Sequence, residues 1–255
     1  VVKNAPAARA GRTNVTESDP RLAVKALVFD VFGTVVDWRT SVAREMRAVV
    51  DAKGWNADPY ALADRWRELY QPSMDPIRRG EKPYARLDDL HRESLKTLLA
   101  EFGLEPLPAG ELEHLNRAWH RLDPWPDCVP GLTRLKRKYI LATMSNGNVA
   151  LMVNMAKHAG LPWDTILGSE PAQNFKPVPS VYLTGADWLG LAPAEVMMVA
   201  AHNGDLAASR AVGFRTAFVA RPTEYGDKQS RDFKAEDSWD QVVGGMDELA
   251  DRLGC

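Results

Sequence analysis

Residues 24–30 (VKALVFD) form a short apolar run that ends on an acid, and four similar runs recur at intervals filled by helical patterns. They are 139–144 (YILATM), 165–167 (TIL), 196–200 (VMMVA) and 216–219 (TAFV). A run that is apolar throughout, rather than at every second position, suits a strand covered on both faces, as in a parallel sheet. Between the runs, residues 149–158, 180–189 and 206–212 are long enough for crossover helices, so strand and helix alternate. The pattern predicts an α/β fold, a doubly wound parallel sheet of Rossmann-like type. Its chemistry belongs at the carboxyl ends of the strands.

One stretch departs from this alternation. Residues 40–122 read as helix after helix, with Val42, Met46, Val49 and Val50 on one face and Leu62, Trp66, Leu69 and Tyr70 on another. Gly54 is a candidate stop for the first of these helices and Asp58 a candidate N-cap for the second. Pro124, Pro126 and Pro130 then break the helical pattern. The expected organisation is a flexible extension over 1–22, a catalytic core over 23–39 and 123–255, and a helical cap inserted over 40–122.

With 255 residues, the chain is long enough for such a core and lobe. Its net charge of -2 and lack of a long basic run give no electrostatic footprint for nucleic acid or a membrane surface. Only Cys128 and Cys255 are present, not in a metal-ligand spacing, which argues against a disulfide framework or a structural zinc. No apolar run approaches the roughly 20 residues of a spanning helix, and the N-terminal segment lacks the apolar stretch of a secretory signal. The expectation is a soluble cytoplasmic protein acting on a small neutral or anionic molecule.

Four segments carry chemistry. Asp30-Val31-Phe32-Gly33-Thr34-Val35-Val36-Asp37 places an acid at a strand end before a glycine that permits a tight turn. Alone, that acid reads equally well as a turn residue. Met144-Ser145-Asn146-Gly147 follows the second run, and Lys176-Pro177 precedes a helical pattern that contains Tyr182. Asp205 follows the fourth run, where it could also cap the helix beginning at Leu206.

In this order, the four segments resemble the motifs of the haloacid dehalogenase superfamily, and their details resemble its L-2-haloacid dehalogenase branch. The resemblance implies that Asp30 is a nucleophile forming a covalent ester, with Thr34 and Lys176 orienting its carboxylate and Tyr182 supporting it by a hydrogen bond. Ser145 and the backbone N–H groups of Val31 and Phe32 would hold the substrate carboxylate. Asn146 and an arginine from the cap would receive the halide; Arg67 is the first choice, with Arg39 and Arg65 as competitors. Asp205 is the implied base for water, yet His202, in place of the branch's usual asparagine, could take or share that role.

Magnesium phosphatases of the superfamily carry a second acid two residues after the nucleophile and an acidic ligand at the fourth motif. Here those positions hold Phe32 and Ala201, beside Ala200. A hard cation thereby loses an oxygen ligand, and a halide departs without protonation. The expected reaction converts small (S)-2-halo acids, fluoroacetate included, to 2-hydroxy acids without metal or cofactor. A phosphohydrolase and a non-catalytic binding protein are the alternatives, and a homodimer is implied by resemblance alone. Of the aromatic residues near these motifs, Phe32 is expected at the pocket and Trp38 in packing, with Trp66 and Tyr70 as further candidate pocket walls.

Overall fold

The computed structural model describes residues 24–255, and the extension expected over 1–22 lies outside them. The chain runs β1 (Ala26–Phe29), β2 (Val36–Asp37), α1 (Trp38–Lys53), α2 (Pro59–Glu68), α3 (Tyr70–Arg78), α4 (Leu87–Glu101), α5 (Ala109–Asn116) and β3 (Asp123–Pro124). It continues through α6 (Cys128–Leu135), β4 (Ile140–Ser145), α7 (Val149–Ala159), β5 (Thr165–Gly168), α8 (Ser169–Ala172) and α9 (Pro179–Trp188). Last come β6 (Val196–Ala200), α10 (Asn203–Ala211), β7 (Arg215–Val219), β8 (Gln241–Val243) and α11 (Met246–Arg252).

Six strands form one sheet in the order β5-β4-β1-β6-β7-β8, with every pairing parallel. β1 is wholly buried, and its side chains divide between two cores: Leu27 and Phe29 join one cluster and Val28 the other. Both faces of the sheet are thus covered, which explains why β1 is apolar at every position. Each aliphatic side chain buried there stabilises the fold by about 1.5–3 kcal/mol. From β1 the chain moves through β4 to β5, then returns to β6 on the other side. The carboxyl end of β1 is therefore the switch point where such sheets leave a crevice.

β8 is an addition to the expected strands. Its sequence is only QVV, with Val242 exposed, because an edge strand is held by backbone pairing to β7 rather than by apolar content. α10 starts earlier than expected, with His202 at its N-cap position, so Asp205 stands in the first turn rather than capping Leu206.

The helical stretch is spliced into the core at two strands that pair with each other. β2 and β3 run antiparallel, with Val36 opposite Pro124 and Asp37 opposite Asp123. α1 begins at Trp38, two residues before the expected boundary at 40, because the Asp37 carboxylate caps the helix by accepting from the Thr40 N–H at 3.0 Å. The other expected signals hold: Gly54 ends α1 at φ 65°, and Asp58 caps α2 by accepting from Tyr60 N–H at 3.0 Å.

An aromatic cluster joins the helices to the core. Trp119 lies 4.5 Å from His91, 5.5 Å from Trp66, 5.7 Å from Phe32 and 6.2 Å from Trp38, measured between ring centroids. No helix among the described residues is long and apolar enough to cross a membrane.

His91 is buried against Trp119, and neither ring nitrogen has a partner among the described residues. Burial, reinforced by the nearby Arg67 charge, pushes its pKa down to about 3 from 6.5. The unfolded chain takes up this proton near pH 6.5 and the folded chain only near pH 3. The stability that neutral His91 allows is intact above pH 6.5 and is lost as pH falls through that interval. His91→Phe, which keeps the stacking, should therefore show a smaller loss of unfolding midpoint than the parent between pH 7 and pH 4. Equal losses in thermal melts would refute this assignment.

Candidate active site

A cavity of about 370 Å³ opens at the carboxyl end of β1. Asp30, Lys176, His202 and Asp205 reach it from the core, and Arg67 and Tyr70 from α2 and α3. Phe32 and Asn146 also line it.

Asp30 follows the last residue of β1 and is held at its backbone by donating its N–H to the Val199 carbonyl of β6, at 3.0 Å. Three donors surround its carboxylate. Lys176 Nζ donates to Oδ1 at 2.9 Å and Thr34 Oγ1 donates to Oδ2 at 2.7 Å. His202 Nδ1 lies 3.0 Å from the same Oδ2. Thr34 is fixed in turn by accepting the Ala201 N–H at 2.9 Å. Burial would raise the Asp30 pKa, but Lys176 and His202 outweigh it and hold the carboxylate well below the usual range.

Lys176 also binds the Asp205 carboxylate, whose other oxygen accepts from the Tyr182 hydroxyl at 2.5 Å. Burial opposes its charge, yet Asp205 and Asp30 keep Lys176 protonated beyond the ordinary lysine range. Burial and the Asp30 charge push Asp205 up, against the pull of Lys176.

The structure brings Asp30, Thr34, Lys176, His202 and Asp205 together, and it departs from the motif reading at Tyr182. Tyr182 does not hydrogen-bond Asp30: from α9 its hydroxyl donates to Asp205. Ser145 is fully buried at the end of β4 and accepts the Gly147 N–H at 3.2 Å, and it does not line the cavity. Val31, expected to act through its backbone N–H, packs its side chain in the core. Asn146 does line the cavity; its Oδ1 accepts the Lys176 N–H at 2.8 Å, which leaves the NH2 end of the amide to donate.

Among the arginines, Arg39 is clamped by Asp64 at 2.6 and 2.9 Å, and Arg65 by Glu101 at 2.7 and 2.9 Å. Arg67 is different. Its guanidinium lies over the rings of Tyr70 at 4.2 Å, Trp38 at 5.3 Å and Phe32 at 5.9 Å, and its Nη1 is buried without a partner among the described residues. Of the aromatic candidates, Phe32 and Tyr70 line the cavity while Trp38 and Trp66 pack behind it.

Glu224 stands behind His202, and the motif reading missed it. It lies in the loop after β7, is buried, and accepts from Trp38 Nε1 at 3.0 Å. Its Oε2 is 2.9 Å from His202 Nε2. Burial would raise Glu224, but His202, then Arg67, keeps it below the usual carboxylate range. The available signal was its position, since loops after parallel strands converge on the switch point. Gly33 carries a second reason for being glycine: at φ +87°, a Cβ would stand 2.1 Å from Glu224 Oε1.

Against known proteins, the haloacid dehalogenase-like hydrolases match this chain over residues 24–213. The chain belongs to the haloacid dehalogenase-like hydrolase family. Within it, the (S)-2-haloacid dehalogenase of Xanthobacter autotrophicus is 32% identical over 203 residues, which span 78% of this chain and 76% of that protein. A defluorinating L-2-haloacid dehalogenase of known structure superposes with a TM-score of 0.90 at 49% identity, covering 91% of this chain and 96% of that one. The L-2-haloacid dehalogenase of Xanthobacter autotrophicus, solved with chloropropionic acid covalently bound, gives a TM-score of 0.75 at 26% identity, over 91% of this chain and 98% of that one.

Gly33→Ala should lower stability by about 2–4 kcal/mol, combining left-handed strain with the clash against Glu224. Gly80→Ala, at φ +72° but with open space around its Cβ position, should cost about 1 kcal/mol. Urea titration of both variants checks the difference, which isolates the Glu224 contact; equal losses would contradict it.

Proposed function

We propose that this family member hydrolyses the carbon–halogen bond of small (S)-2-halo acids through an ester on Asp30. The observation that carries the reading is the Asp30 carboxylate at the cavity, held by Lys176, Thr34 and His202. Those contacts fix its position for in-line attack on the α carbon. The Asp30 oxygen forms the new C–O bond as the C–X bond breaks, and the halide leaves with the electron pair. Water then cleaves the ester to give a 2-hydroxy acid. The covalently bound acid in the Xanthobacter autotrophicus relative supports this two-step course.

The departing halide needs donors in a desolvated place, where each is worth more than in water. Arg67 supplies a buried Nη1 with no partner among the described residues, and the Asn146 amide supplies an N–H. Fluoride is the leaving group that gains most from such donors, and the reading includes fluoroacetate. The 49% identity with a defluorinating relative supports that extension.

The reaction is proposed to be metal-independent. Asp30 and Asp205 share the Lys176 ammonium, and the positions a magnesium phosphatase fills with acids hold Phe32 and the buried Ala201. For the hydrolytic step, both Asp205 oxygens are engaged by Lys176 and Tyr182. His202, in contact with Asp30, is the better-placed base.

Halide release from bromo-, chloro- and fluoroacetate, measured in the presence of a chelator, tests the reading, and Asp30→Asn should lose at least about a thousandfold. One turnover in oxygen-18 water should give unlabelled hydroxy acid and a labelled Asp30 peptide. Magnesium-dependent release of phosphate from an aryl phosphate, without halide release, would sink it. Arg67→Met should slow fluoride release at least about tenfold more than bromide release, because the poorer leaving group depends more on the donor. An equal effect on both halides, compared under single turnover, would remove Arg67 from the halide site.

A further inference from the structure

His202 lies between two carboxylates. Its Nδ1 is 3.0 Å from Asp30 Oδ2, and its Nε2 is 2.9 Å from Glu224 Oε2 and 3.1 Å from Oε1. Glu224 is 1% exposed and does not line the cavity, so it acts on the reaction through its neighbours. Two features hold it there: the Trp38 indole N–H donates to it, and Gly33 leaves the space its carboxylate fills.

We propose that Glu224 is the positioning residue of the hydrolytic half-reaction, holding an N–H on His202 Nε2 so that the proton lost and regained in each turnover is the one on Nδ1, facing Asp30. This rests on the ester reading of Asp30.

The proton balance follows from the geometry. In the resting enzyme, His202 is an imidazolium donating to Asp30 and Glu224. Burial opposes its charge, but Glu224 and Asp30 keep the pKa well above the ordinary histidine value. When Asp30 attacks, its charge passes to the departing halide and the carboxylate becomes a neutral ester. Nδ1–H then loses its anionic acceptor, whereas Nε2–H keeps Glu224. The Nδ1 proton goes to solvent; it is the one proton that conversion of a halide and water to an alcohol must release.

The neutral imidazole now presents a lone pair on Nδ1 toward the ester, because the Glu224 carboxylate accepts from Nε2–H and so keeps the remaining proton on Nε2. Water adds to the Asp30 carbonyl carbon as Nδ1 takes one of its protons. The tetrahedral adduct expels the substrate-derived alkoxide, which takes the second proton and leaves as the hydroxy acid. Asp30 carboxylate and His202 imidazolium are restored together. One proton leaves per turnover, at the alkylation step.

The test is a single turnover of chloroacetate with enzyme in excess, followed by a pH-indicator dye, by chloride release and by the mass of the quenched chain. The proton should appear with the ester, before the ester decays; a proton that appears only with ester decay overturns the proposal. In Glu224→Gln, ester formation should stay within about threefold of the parent while ester decay slows at least about tenfold, so the mass-shifted chain accumulates. Equal slowing of both steps, or unchanged decay, also overturns it. The order of proton release in the parent chain decides the matter even if the variant folds poorly. If chloride is released with no mass-shifted chain at any time, the ester reading itself fails, which is a distinct result.

Discussion

Lys176 is one buried ammonium shared by two buried carboxylates, and the site is arranged around it. Without that charge, burying Asp30 would favour its neutral acid, which is no nucleophile. With it, Asp30 is held ionised in the cavity. The ammonium is positioned by the Asn146 amide, which accepts its backbone N–H, and by Asp205, which Tyr182 steadies from behind. These residues come from the end of β1 (Asp30), the end of β4 (Asn146), the segment before α9 (Lys176), α9 itself (Tyr182) and the first turn of α10 after β6 (Asp205). They meet because the strand order places β4 and β6 on either side of β1.

A second charge pairing lies on the other side of Asp30. His202 and Glu224 form a buried couple that touches Asp30 but does not share its lysine. The carboxylate is thus flanked by a cation that keeps its charge and another that can give a proton away. That difference suits the proposed reaction, in which Asp30 is anionic in one half and neutral in the other. The helical stretch closes the opposite wall with Arg67, caged by aromatic rings that raise the strength of any contact its guanidinium makes.

Much of this was legible in the sequence because apolar runs and glycine turns are local signals. The strands that carry Asp30, Ser145 and Ala200 could be read from burial on both faces, and the helices from Gly54, Asp58 and their apolar stripes. The motif residues Asp30, Thr34, Lys176 and Asp205 could be placed by order along the chain. β8 was not legible, since its three residues hold their place through backbone pairing. Tyr182 was placed on the wrong carboxylate, because a motif gives the neighbourhood of a side chain but not its direction.

The sequence alone determined that the chain alternates strand and helix around an inserted helical stretch, and that acids and a lysine gather at strand ends. Both follow from hydrophobic periodicity and turn chemistry, which act over a few residues. Only the tertiary structure decided which arginine faces the cavity, that Asp205 is occupied on both oxygens, and that Glu224 stands behind His202. Glu224 is separated from Gly33 and Trp38 by most of the chain, yet its carboxylate sits where a side chain at 33 would be. Such a contact arises when packing brings distant loops together, and no local pattern encodes it.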